Sequence, residues 1–367
     1  MRIRRIAITH VRVPLVEPFR ISSGAVAVKD AIVIELEAGG YIGYGESSPM
    51  AGSFYSSDTP ESCWRELVEV VIPSILGSEA ADIADWNRIL DGLPAGNFTK
   101  CGIETALWDI EARKKDKPLH EMLGATRRSV ESGLAVGLYE NLADMLRAIE
   151  RNLRDGYKRV KLKIEPGRDI EVVQAARNAF GNIPLFVDAN GAYTLDHIDI
   201  FRKLDEFGLM MFEQPFPGPQ LKELAKLQTL VKTPVCLDES LDTLAQVDRA
   251  IDLGSMRIAN IKIQRVGGLY HAMEIYQRCT HRGIPVWMGT MPELGIGQAQ
   301  AAAMAGLENC RYPTDVEASL RWFVDDIVDP LISVCDGCLD LPNAPGLGYA
   351  VPSAKLERYA IASRTYQ

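Results

Sequence analysis

The 367-residue sequence predicts an α/β protein: a TIM-like (β/α) barrel of modified form, preceded by an α+β capping domain. Three observations carry that expectation. From about residue 131 onward, short apolar runs alternate with helical segments, the pattern of a parallel sheet whose crossovers are helices. About eight such units in roughly 200 residues are enough to close the sheet on itself. The first hundred or so residues lack this alternation and are β-rich, then helical, so they form something separate.

In chain order, residues 2–13, 30–37 and 41–46 have the character of strands, and the Ala-Gly-Gly at 38–40 marks the hairpin turn between the last two. Residues 61–76 and 81–93 show helical spacing. Ile103, Ala106, Leu107 and Ile110 form an i, i+3, i+4, i+7 stripe in the helix that follows. This is the capping domain, residues 1–125. The barrel, residues 126–325, draws its strands from 133–137, 159–164, 185–190, 209–215, 235–240, 258–263 and 285–289, with 311–317 as a weaker eighth. The tail, residues 326–367, is rich in Asp, Pro and Gly and is expected to fold back onto the capping domain.

Composition excludes several classes. Hydrophobic residues at 47% and charged residues at 24% are those of an ordinary globular chain, not a disordered or fibrous one. A formal charge of −9 argues against nucleic-acid binding. No run of 18 apolar residues occurs, and Arg4, Arg5, His10 and Arg12 interrupt the N-terminal apolar stretch, so neither a membrane span nor a signal peptide is expected. Seven scattered cysteines, an odd number, fit reduced thiols in the cytoplasm. The single CxxC, Cys335 to Cys338, has no second pair to complete a zinc site and reads as a surface turn. GIGQAQ at 295–300 supports at most a helix start of the anion-binding kind.

The chemistry lies in a period. Lys161 and Lys163 alternate with Val160, Leu162 and Ile164, so both ammonium groups share one face of a strand. Counting on from Lys163, a polar residue follows or closes each apolar run at Asp188, Glu213, Asp238 and Lys262, at gaps of 25, 25, 25 and 24 residues. That puts five side chains at the C-terminal mouths of five consecutive strands, where barrel enzymes build their active sites. Three carboxylates on adjacent strands repel one another unless a cation sits among them. Oxygen donors without His or Cys select a hard ion, Mg²⁺ first and Mn²⁺ as the alternative.

Lys163 on the second strand and Lys262 on the sixth face each other across an eight-membered ring. Opposed amines beside a metal-bound carboxylate suit removal of the proton α to that carboxylate, with the metal stabilising the enediolate. A lysine with a pKa near 10.4 must fall by roughly three units to act as a base near neutrality. Repulsion from Lys161 and the divalent cation works in that direction, and partial burial adds to it. Taken singly, each acid also fits a helix cap, Asp238 ahead of a helix near 241 above all. Caps do not require a common period or a matching pair of lysines.

With these residues in place, the sequence resembles the enolase superfamily in its muconate-lactonising subgroup. The resemblance spans nearly the whole chain: KLK at 161–163, VDAN at 187–190, EQP at 213–215, LDES at 237–240 and NIKIQRVGG at 260–268. It implies Mg²⁺ on Asp188, Glu213 and Asp238, with Lys163 and Lys262 as acid/base lysines and Lys161 beside them. The mandelate-racemase branch takes its base from a His on the seventh strand, and 285–291 contains none.

Within the subgroup, PFRISSG (18–24), MAGSFYSSD (50–58), KLKIEPG (161–167) and DVEASLRWFVDDI (315–327) resemble o-succinylbenzoate synthases and their relatives, the N-acylamino acid racemases. The resemblance makes Phe19, Met50, Tyr55, Asn190 and Phe323 substrate-side candidates. Phe19, Tyr55 and Phe323 fit domain packing equally well. Glu239 and Arg265 are read as supports behind the ligands. Thr290, Gln298 and Glu317 depart from the usual pattern, and they keep muconate cycloisomerases and dipeptide epimerases open. The implied partner is a small carboxylate, in an enzyme that is commonly a homo-oligomer. A catalytically silent binding barrel is the non-enzyme alternative, and the intact Lys163 and Lys262 speak against it.

Overall fold

The computed structural model describes residues 1–21, 24–51 and 56–367. In chain order the strands are β1 (Ile3–Ile21), β2 (Gly24–Ala38), β3 (Tyr41–Ser47), β4 (Ser129–Glu131), β5 (Leu134–Val136), β6 (Val160–Lys163) and β7 (Leu185–Asp188). They continue with β8 (Phe212–Glu213), β9 (Val235–Leu237), β10 (Ile258–Ile261), β11 (Val286–Met288), β12 (Cys338–Asp340) and β13 (Ala360–Tyr366).

The capping sheet is antiparallel, in the order β13-β1-β2-β3, so the end of the chain pairs with its beginning. Its register sets Ile6 against Leu36 and Ile8 against Ile34, and all four side chains are fully buried. The helix Asn97–Lys114 lies across β3 at backbone contact. A Cβ on Gly45 would sit 1.9 Å from the Gly102 carbonyl oxygen, and one on Gly43 2.4 Å from that of Ala106. Glycine is what lets helix and strand approach so closely. The stripe Ile103, Ala106, Leu107 and Ile110 is fully buried there. The expected helix over 61–76 is a continuous helical run, Pro60–Ile75, broken by a π turn at Leu67–Val71 ahead of Pro73, which has no N–H to donate.

The barrel sheet is parallel, β5 to β11 in sequence order, with helices between successive strands. The eighth place differs from expectation. Residues 311–317 form no regular strand, yet they bridge both edges: Arg311 N donates to Val286 O and Asp315 N to Met288 O, while Thr314 N donates to Glu131 O and Gly133 N to Thr314 O. Pro313 removes one donor from this ladder. The register of the inner strands aligns the mouth: Lys163 pairs with Asp188, and Asp188 with Glu213, so three polar side chains share one layer there.

Two smaller readings also meet the structure. Cys335 and Cys338 close a two-residue hairpin turn with Asp336 and Gly337 at positive φ, and both thiols are free. Among the described residues no helix is long and apolar enough to cross a membrane.

Candidate active site

One cavity at the mouth of the barrel is lined by Lys161, Lys163 and Lys262 together with Phe19, Met50, Thr290, Met291, Asp315 and Trp322. All three lysines are buried, as are Asp188, Glu213 and Asp238. Lys161 Nζ lies 3.0 Å from Asp188, 2.8 Å from Glu213 and 3.3 Å from Asp315. Lys163 Nζ donates to Asp188 at 2.5 Å and to Asn190 Oδ1 at 2.6 Å. Lys262 Nζ lies 3.0 Å from Asp238, whose other oxygen pairs with Arg265.

Electrostatics separate the two lysines of the KLK pair. Lys163 is lowered from the usual lysine value, first by burial; the Lys161 charge also lowers it, while Asp188 opposes. The ranking differs from the sequence expectation, in which charge repulsion led and burial assisted. Burial also works to lower Lys161, but Asp188, Asp315 and Glu213 overcome it, and its pKa is raised. Lys161 is thus biased toward its charged form and Lys163 away from it. Burial works to raise Asp188, and the two lysines hold it well below the carboxylate range instead. Glu213 is raised, by burial and by the charge of Asp188.

Whether these residues suit a hard cation can be judged from their chemistry. The donor set is all carboxylate oxygen, and Glu213 Oε2 is buried facing Lys161 Nζ at 2.8 Å. By donor type the set fits Mg²⁺ or Mn²⁺. By arrangement, the carboxylates turn to the ammonium groups, and no three acidic, His or Cys side chains among the described residues converge as a ready-made cation cage.

The other candidates fall in several places. Phe19 and Met50 line the cavity, and Tyr55 lies outside the described residues. Phe323 is not on the wall. It is fully buried in the core and bridged to Leu15, because the short helix Ser319–Trp322 ends there and turns Trp322 to the cavity, edge-on to Phe19 at 4.9 Å. Asn190, at φ 43°, stands between Lys163 and Glu239, donating to Glu239 Oε1 at 2.8 Å. Arg265 donates to Asn260 O at 2.9 Å as well as pairing with Asp238. Gln298 is in the buried helix Gly295–Ala305 and donates to Glu293 O.

Sequence reasoning missed three members of the network. Arg159, one more step of two along the face of Lys161 and Lys163, is buried at 1% exposure, pairs with Asp315 and lies over the Phe186 and Trp287 rings. The same period of two would have found it. Asn260, two residues before Lys262, donates to Glu213 at 2.8 Å and is visible by the same rule. Trp322 had no signal, since Trp322 and Phe323 are adjacent aromatics and only the end of the helix decides which one faces inward.

Known proteins resemble this chain along nearly its whole length. Residues 144–355 match the family of enolase C-terminal domain-like sequences, and residues 3–124 match the mandelate racemase / muconate lactonizing enzyme N-terminal domain. The chain is 40% identical over 360 residues to an o-succinylbenzoate synthase of Geobacillus kaustophilus, covering 98% of this chain and 96% of that one. It is 37% identical over 351 residues to an N-succinylamino acid racemase of Amycolatopsis, covering 95% of each. The crystal structure of an enolase-superfamily member from Listeria innocua superposes with a TM-score of 0.94 at 33% identity, over 100% of this chain and 99% of that one. The chain is thus an enzyme of the enolase superfamily, in its mandelate racemase / muconate lactonizing enzyme family.

Proposed function

We propose that this enzyme removes the proton α to a carboxylate in a Mg²⁺-dependent reaction, and that its substrate is that of an o-succinylbenzoate synthase, which it dehydrates. The observation that carries the reading is the pair Lys163 and Lys262, four strands apart round the ring and lining one cavity. Asp188, Glu213 and Asp238 would hold the ion. When bound, it supplies positive charge to the substrate carboxylate and so favours the enediolate.

The chain's own groups do the rest. Lys163 Nζ, lowered by burial, takes the α-proton, and Asn190 fixes its direction through the 2.6 Å hydrogen bond. Lys161 stays cationic and offsets negative charge developing on the substrate. Lys262 stands on the opposite face, as a charge in dehydration and as the proton donor in racemisation. Phe19, Met50, Met291 and Trp322 supply an apolar wall that excludes water. Residues 1–125 cap the mouth, 126–325 carry the chemistry and 326–367 return to the cap. The small-carboxylate partner, a homo-oligomeric state and a cytoplasmic location, the last supported by seven unpaired cysteines, belong to the same reading.

N-acylamino acid racemisation is the second reading, supported by similarity to both kinds of relative. Dipeptide epimerisation has less support. It needs the acidic pair of the last strand free for a substrate ammonium, whereas Asp315 is engaged by Arg159 and Lys161, and Glu317 by Ala135 N at 2.8 Å and by Arg321. The test offers the synthase substrate and acylated amino acids in parallel, with and without EDTA. Dehydration of the first, abolished by EDTA and restored by Mg²⁺, is expected. Racemisation alone selects the second reading, and metal-independent turnover contradicts both.

A further inference from the structure

Residues 46–50 leave the end of β3 and finish at Met50, one wall of the cavity. Their backbone groups are met by two side chains from distant parts of the chain. Lys29, on β2, donates from Nζ to Ser48 O at 3.0 Å and to Pro49 O at 3.4 Å. Gln264, two residues past Lys262, accepts from Ser48 N at 3.0 Å and donates to Glu46 O at 2.7 Å. The carboxamide takes the place of a neighbouring strand, pairing an N–H and a carbonyl two residues apart.

Both side chains are deeply buried, Lys29 at 5% and Gln264 at 1% exposure. A buried ammonium is unfavourable unless its donors are used. Here the acceptors of Lys29 are the two carbonyls immediately before Met50, with Glu46 and Glu293 in electrostatic reach. Glu293 in turn accepts from Met291 N at 2.9 Å, and Met291 lines the cavity beside Met50. Neither Lys29 nor Gln264 is among the lining side chains.

We propose that Lys29 and Gln264 are positioning residues: they lock the Met50 wall to the Lys262 side of the barrel mouth, and through that wall they set which substrate side chains are accepted. This deepens the reaction proposed above and rests on it for the class of substrate.

The test uses the full chain with Lys29→Leu, Gln264→Leu and the conservative Lys29→Arg. KM and kcat are measured separately on the synthase substrate and on N-succinyl amino acids of increasing side-chain size. In the two Leu variants KM for the preferred substrate is expected to rise about tenfold, the size of one or two ordinary hydrogen bonds lost, while kcat changes less than about threefold. Preference across the panel narrows, and Lys29→Arg restores it. Unchanged KM and preference, or a fall in kcat alone, overturns the proposal.

A second measurement does not depend on turnover: the ¹³C-methyl NMR signal of Met50, assigned with Met50→Leu, is expected to shift and broaden in Lys29→Leu and in Gln264→Leu. An unmoved Met50 signal in a folded variant overturns the positioning role whatever the activity. A moved signal in a protein that turns over nothing in the panel supports the positioning role and tells against the reaction reading alone.

Discussion

Two groups of buried carboxylates lie within the same molecule and are stabilised by opposite means. At the barrel mouth, Asp188, Glu213 and Asp238 face Lys161, Lys163, Lys262 and Arg265. Where other segments pack onto the barrel, Glu46, Glu104 and Asp326 face backbone N–H groups at helix starts. Glu104 accepts from Leu269 N at 2.7 Å and Tyr270 N at 2.9 Å, and Glu46 from Leu294 N and Gly297 N at 2.8 Å each. Asp326 takes Gly295 N at 2.9 Å.

The anion-binding helix start read in GIGQAQ is therefore real, and the protein fills it with its own acids. Backbone donors cannot leave, so these acids fasten one part of the molecule to another. Side-chain ammonium groups can move, so the mouth acids can exchange partners for a ligand. The difference between fastening and exchanging separates the scaffold from the site.

The largest effect is expected at the mouth. Lys163→Ala is expected to lower kcat by about 10²–10⁴-fold, the range for removing a general base, with the fold unchanged by circular dichroism. A near-normal kcat would place the base elsewhere. At the interface the ordering reverses. Glu104→Ala leaves Leu269 N, Tyr270 N and Trp108 Nε1 without their acceptor, while Asn87 Nδ2 keeps Ile83 O at 2.9 Å. With about 1–3 kcal/mol for each buried unsatisfied group that water does not reach, a loss of several kcal/mol is expected in denaturant unfolding, with little change in kcat of the folded fraction. A small loss would mean that the interface is held elsewhere.

pH sharpens the same contrast. Burial pushes Glu46 and Glu104 up to about 7 in the folded protein, against about 4.3 in an unfolded chain. A raised folded value means that their contribution is fully present below the unfolded pKa and is lost as pH rises through about 7. Unfolding free energy from these groups should thus decline between about pH 5 and pH 8. Asp188 acts oppositely, but its lowered value puts its loss below about pH 4, outside that window. Glu317 is raised to about 7 as well, so the interface share is read against Glu104→Gln: a decline in urea midpoint from pH 5 to pH 8 as steep in that variant as in wild type would contradict the interface assignment. The smallest expected effect is thermal: added Mg²⁺ should raise Tm by a few degrees and EDTA should reverse it, since a ligand of the folded state stabilises by mass action. Asp238→Asn should shrink that shift.

Much of the mouth was legible because strand geometry is periodic. A 25-residue repeat in the barrel and a two-residue repeat along β6 are enough to bring Lys161, Lys163, Asp188, Glu213, Asp238 and Lys262 together. The fastening acids were not legible: GIGQAQ marks one receiving helix start, but Glu46 and Glu104 meet helices more than 150 residues away and no local pattern says which acid goes where. The eighth barrel strand was overread at 311–317, where Pro313 leaves the segment bridged but irregular. The choice of Trp322 over Phe323 depended on where a one-turn helix ends, which adjacent aromatics do not reveal.

Whether Lys163 removes a proton α to a carboxylate is read by proton NMR in D₂O with Mg²⁺. Wild type and Lys163→Ala are offered the o-succinylbenzoate synthase substrate and a set of N-succinyl amino acids. The expected result is dehydration of the first or deuterium incorporation at the α-carbon of the second by wild type alone, with Lys163→Ala folded and silent. Equal turnover or exchange by the two proteins would contradict it.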